Sequence, residues 1–250
     1  MEHGLRIAER LGLEPQADTF NPVIVDFYRA VGYLPWAIDN YLALLGWSYD
    51  DKTEFFTREQ LVQHFTLERI NSSPASFDPK KLWAVQDHYM HALTIEEKLA
   101  AMLPFLARAG LVADPAPAAA VETVRRVIEA SGDRLKVAGD ILAYADFFLV
   151  EPPPLDESAV QQRLAKPGVR PLLEAFAAEV RTVDPFEPAT LEEALKRVVA
   201  SAGLKVGDLV HAVRVAVTGK TVGPGLYDCL AILGRERSLN RIERSLPLCG

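Results

Sequence analysis

The chain has 250 residues, 49% of them hydrophobic and 24% charged, with a formal net charge of −7. This composition excludes a disordered polyelectrolyte, allows one to three compact units, and argues against a surface that is basic all round. No run approaches eighteen apolar residues, Met1-Glu2-His3-Gly4 begins no secretory leader, and Cys229 and Cys249 are too few for a disulfide framework or a cysteine-rich zinc site. A chain without a membrane span, in a reducing cytoplasm, is expected.

In chain order, Thr57-Arg58-Glu59-Gln60 has capping-box spacing, and Leu61, Val62 and Phe65 follow as an apolar stripe. Short strands at Phe55-Phe56 or Ser76-Phe77 have little support. Asp78-Pro79 supplies an N-cap and a first-turn proline for a helix to about His91. Thr94 to Glu97 forms a second box leading into Leu99, Met102 and Leu103. Thr190-Leu191-Glu192-Glu193 reads as a third box. Leu191, Ala194, Leu195, Val198 and Val199 line one helical face there, and Gly203 suits a left-handed C-terminal position. Two-residue alternation is scarce, so the expected fold class is all-α in the main. Ala113 to Pro117, Glu151 to Pro154 and Asp184 to Pro188 read as stiff connectors, because each proline removes a donor and restricts its predecessor. The triple proline is the expected subdomain border.

The charge is uneven. From His211 to Gly250 six basic residues (Arg214, Lys220, Arg235, Arg237, Arg241, Arg244) face three acids (Asp228, Glu236, Glu243). Such a tail fits either one nucleic-acid-facing surface or a solvated helix face of mixed charge. Gly219-Lys220-Thr221 resembles the end of a phosphate-binding loop, but Arg214 stands where that loop needs glycine, and the preceding residues read as helix. His88 and His91 have metal-ligand spacing without a third ligand. No nucleophile elbow or reactive-cysteine motif occurs, so no self-contained active site is expected.

Several ordered blocks carry a resemblance. They are Asp26 through Ser48, with Gly32-Tyr33-Leu34-Pro35, Asn40-Tyr41-Leu42 and Gly46-Trp47; Phe65 through Ile70; Ser73 through Leu82; Arg214 through Gly219; and Leu226 through Leu239. Together they resemble the C-terminal half of bacterial-type glutamyl-tRNA synthetases. Read physically, Gly32 ends one helix, Pro35 starts the next, Ala37, Leu42, Ala43 and Leu45 form a buried helix, and Trp47 is a core residue.

The resemblance implies a stem-contact domain over residues 1–92, with residues 1–20 read as an insertion, then helical anticodon-binding subdomains over 93–154 and 155–250. It implies that the chain recognises the anticodon loop and inner stem of glutamate tRNA, glutamine tRNA being left open. Within the resemblance, Arg214, Gly223, Pro224 and Leu226 are the expected anticodon contacts. Ser131 stands where many relatives have an arginine for the first anticodon base, which marks it for selectivity. Gln86 replaces a usual asparagine, Trp83 is shifted, and Trp36 replaces a common glutamate. The family's HIGH and KMSKS motifs do not occur in these residues, so no catalytic residue, cofactor or metal is expected here. ATP and Mg belong to the complete enzyme, and a separate catalytic half is an expected partner; DNA and membrane are not. The alternative reading is a non-catalytic, synthetase-derived helical module that binds a protein.

Overall fold

The computed structural model describes residues 2–13, 22, 24–71 and 75–250. Among them are fourteen α-helices and no strand, Trp47 and Ile70 making one isolated antiparallel bridge. The fold class is all-α. Ser73-Pro74 of the third block, and Met1 with residues 14–20 of the expected insertion, lie outside the described residues. The chain divides into two compact units: Met1–Ala109 with Asp133–Leu142, and Gly110–Gly132 with Ala143–Gly250.

The first unit holds α1 (Glu2–Arg10), α2 (Val25–Val31), α3 (Pro35–Leu44), α4 (Arg58–His64), α5 (Pro79–Ala92) and α6 (Ile95–Arg108). Gly32 closes α2 at φ +92°, where the backbone of Gly139 and the ring of Phe105 leave no room for a Cβ. Pro35 is the first residue of α3 and Asp78 caps α5 by accepting from the Lys80 amide at 2.8 Å. Both capping boxes form, Thr57 with Gln60 and Thr94 with Glu97.

Two expectations are corrected in this unit. Leu42 is 50% exposed, and α3 buries Ala37, Asn40 and Tyr41 instead. The buried amide of Asn40 donates to the Glu54 carbonyl and accepts from the Phe56 amide, so a polar side chain takes the core position. The Leu61, Val62 and Phe65 stripe at α4 is largely uncovered, with Val62 77% and Phe65 41% exposed. The departures from the family pattern have local roles. Gln86, fully buried, accepts from the Leu34 amide and donates to the Lys136 carbonyl, and Trp36 donates to the Phe56 carbonyl. Trp47 is buried as expected.

The second unit comprises α7 (Ala118–Ser131), α8 (Ile141–Leu149, which enters it at Ala143), α9 (Glu157–Arg163), α10 (Val169–Thr182), α11 (Pro188–Ser201), α12 (Val206–Thr218), α13 (Leu226–Leu233) and α14 (Arg235–Ser245). Helices α10, α11, α12 and α14 pack pairwise around one core, and α9 lies against α12. The face Leu191, Ala194, Leu195, Val198 and Val199 is buried, and Gly203 has φ +69°. The start of α11 corrects a register. The helix begins at Pro188, Glu187 is its cap, and Thr190 is the third helical residue, its hydroxyl accepting from the Glu187 amide. Pro188 suits the first turn better than any residue after Thr190, so the helix starts three residues early, nearly a full turn. Glu151 to Pro154 lies inside this unit.

Candidate nucleic-acid interface

Helix α12 ends in a polar lock. The hydroxyl of Thr218, wholly buried, donates to the Arg214 carbonyl at 2.8 Å, within the helix, and accepts from the Lys220 amide. Gly219 takes φ +74°, and a Cβ there would collide with the carbonyl of Pro154. Its own carbonyl accepts from the Asp156 amide at 2.9 Å. Gly-Lys-Thr is therefore a helix stop that the post-proline segment packs on, not a phosphate loop.

The turn beyond it joins two of the expected residues. Arg214, half-buried, donates through Nη1 to the Pro224 carbonyl at 2.8 Å. Gly223 sits at φ +152°, with the ring of Phe147 on α8 about 3.4 Å from where a Cβ would project. Gly225 precedes α13, and the carboxylate of Asp228 folds over it, filling the space a side chain would need. Val222 on the same turn is 61% exposed. Lys220 ion-pairs with Asp146, both side chains only 12% exposed, and lies 5.7 Å over the Phe147 ring. Asp146 and Phe147 were not singled out from sequence. The signal was an acid inside the apolar run of α8, which needs a cation partner once buried.

Leu226 is 3% exposed and Pro224 is buried, so the side chain of Leu226 belongs to the core and the turn offers backbone and Arg214. Ser131 is also wholly buried, its hydroxyl donating to the Val127 carbonyl at 2.6 Å at the end of α7. Burial pushes the Cys229 thiol up to about 12, against the pull of Arg214, so it is no nucleophile. Burial, then the charges of Arg163 and Arg214, hold His211 below its ordinary value.

The basic tail serves neither of its expected uses in the main. Arg235 donates to the carbonyls of Arg181 and Val183 at the end of α10. Arg237 reaches the Phe148 carbonyl at 2.9 Å and the Glu151 carboxylate. Arg241, 2% exposed, donates to the carbonyls of Phe147 and Val217 at 2.8 and 2.7 Å and to Glu151 at 2.7 Å. These arginines bind helix C-termini, whose last carbonyls lack intrahelical donors. Burial opposes the charge of Glu151, but the hydrogen bonds and charges of Arg241 and Arg237 outweigh it and hold the carboxyl below its ordinary range. His88 stacks on Phe55 and His91 contacts Asp87 and Asp133, so the histidine pair is divided between separate partners. Among the described residues no cluster of three metal-ligating side chains occurs, and no helix is long and apolar enough to cross a membrane.

Residues 97–246 match the anticodon binding domain family, and residues 20–84 match the catalytic domain of class I tRNA synthetases (E and Q). A glutamate–tRNA ligase of Moorella thermoacetica is 36% identical over 88% of this chain and 45% of its own length. One from a Roseiflexus species is 40% identical over 85% and 42%. The structure of a glutamate tRNA ligase from Elizabethkingia meningosepticum has the same fold, with TM-score 0.75 and 24% identity over 88% of this chain and 42% of its own. The chain thus spans under half the length of these relatives.

Proposed function

Since the chain belongs to the anticodon-binding-domain family of class I tRNA synthetases, we propose that it is the tRNA-reading portion of a glutamate–tRNA ligase. It recognises the anticodon loop and inner stem of glutamate tRNA, and the complete cytoplasmic enzyme performs ATP- and Mg-dependent glutamylation. The stem is met by residues 1–92 and the anticodon by 93–154 and 155–250. The observation that carries this reading is the bond from Arg214 to Pro224, which ties the Arg214–Gly219 block to the Gly-Pro-Gly turn that leads into the next block. Single-stranded bases are read by stacking and by hydrogen bonds to their edges. An arginine has five donors, and Pro224 and the Cys229 thiol use only part of that set. Gly223 lets backbone approach a base closely, and Leu226 supports the turn from the core. Ser131 marks a selectivity position only through the placement of the α7 end, which its hydroxyl does not by itself set.

The test is binding of the full chain to an anticodon-arm hairpin of glutamate tRNA. Affinity should fall with rising salt and drop about tenfold in Arg214→Ala, the range of one good hydrogen-bonded contact to a base. Equal binding to hairpins of unrelated tRNAs overturns the specificity. Exposed Val62 on α4, with exposed Phe65 and Leu67 just after it, favours a second reading of the first unit as a protein-binding surface, for which the partner is a separate catalytic half. Co-purification of the two halves tests it.

A further inference from the structure

Arg241 lies in α14, yet its bonds converge on the two helix ends that carry the Arg214 turn. Burying a guanidinium is costly unless its donors are satisfied. Here Nη1 donates to the Val217 carbonyl at 2.7 Å and Nη2 to the Phe147 carbonyl at 2.8 Å. Nη2 and Nε also reach the Glu151 carboxylate at 2.7 and 3.1 Å. Val217 is in the last turn of α12, next to the Thr218-Gly219 stop. Phe147 is in the last turn of α8, and its ring forms the floor beneath Gly223 and Lys220. Its neighbour Asp146 holds Lys220 by the buried ion pair. Residues 219–223 are thus strung between two helix ends that one planar guanidinium joins.

We propose that Arg241 is the positioning residue of this turn, clamping the C-terminal ends of α8 and α12 so that Gly223, Pro224 and Arg214 keep the arrangement that contacts RNA. The RNA part of the inference rests on the function proposed above; the mechanical part stands on the geometry alone. A lysine cannot replace the arginine, because one ammonium lacks the planar fork that serves separated carbonyls and a carboxylate together. Glu151 belongs to the device as the anchor that neutralises the buried charge.

The experiment uses the full chain as wild type, R241K, R214A and the double variant. Backbone amide spectra follow Gly219, Gly223 and Gly225, with Gly110 and Gly203 as controls, and affinity for the glutamate anticodon-arm hairpin is measured per folded molecule. R241K should move the first three amides and leave the controls, and should lower affinity about tenfold. The double variant should lose little more than R214A alone, because residues acting through one element are non-additive. A general loss of stability would not single out those amides or remove the additivity. Unmoved amides, or losses that multiply independently, overturn the proposal. If R241K does not fold, E151Q takes its place, since that carboxylate is 44% exposed and the change only weakens the clamp; smaller shifts of the same three amides are then expected, and their absence overturns the proposal. If the wild type binds no hairpin, the RNA reading fails, and the glycine amides still decide whether Arg241 holds the turn.

Discussion

The turn around Arg214 and the clamp around Arg241 use the same side chain in two environments within the second unit. Arg214 is half-buried, gives Nη1 to the carbonyl of a short turn, and has no carboxylate in hydrogen-bond contact among the described residues. Arg241 is 2% exposed, and its nitrogens meet the carbonyls of Phe147, Val150 and Val217 and the Glu151 carboxylate. Burial with complete satisfaction makes an arginine a structural fastener. Partial exposure with unused donors leaves it able to meet a ligand.

Substitutions that change one region and spare the other sharpen this contrast. Arg241→Met should have the largest effect, a loss on the order of 3 kcal/mol in urea unfolding, because Phe147 and Val217 lose a charged donor. A loss under about 1 kcal/mol would remove the distinction between the two arginines. Lys220→Met should cost about 2 kcal/mol, since it strips the cation from buried Asp146; adding Asp146→Asn should restore part of this, as measured by thermal melting. Arg214→Ala should change stability by no more than about 1 kcal/mol, the range of one neutral-acceptor hydrogen bond, while lowering hairpin affinity as above.

Acid should affect the clamp before the turn. The Glu151 carboxyl lies below its ordinary value of 4.5 in the folded chain, so its stabilising contribution is complete above that value and is lost as pH falls through the folded pKa. Unfolding measured from pH 6 to pH 3 should show the wild type losing its advantage over Glu151→Gln below about pH 4.5. An advantage constant through that range would mean that Glu151 carries no such role. The smallest effect is expected at Ser131. Its hydroxyl bonds to a carbonyl of its own helix, so Ser131→Ala should shift stability by under about 1 kcal/mol and leave the ratio of glutamate to glutamine hairpin binding unchanged. A changed ratio would restore Ser131 as a direct selectivity position.

The helices were legible because their causes are local. Capping boxes, first-turn prolines and left-handed glycines act within one turn of chain, and Thr57, Asp78, Pro35 and Gly32 all do what their neighbours imply. The Arg214 turn was legible in the same way, through an arginine, a Thr-Gly stop and a Gly-Pro-Gly segment within twelve residues. Burial was less so. The stripes of α4 and α11 look alike as sequences, yet Val62 is 77% exposed and Leu191 is fully buried. Periodicity states which face is apolar and not what covers it.

By itself, then, the sequence determined an all-α chain, the places where most helices start and stop, and the family, since these rest on short-range sterics and ordered motifs. Only the tertiary structure decided the uses of the charged residues. Arg241 meets Glu151 across ninety positions and Lys220 meets Asp146 across seventy-four. The basic tail fitted either a surface facing a polyanion or a solvated face of mixed charge, but its arginines at 235, 237 and 241 face carbonyls at helix ends. Hydrogen bonds between distant segments leave no trace in local spacing, because an acceptor that is a backbone carbonyl belongs to every residue alike.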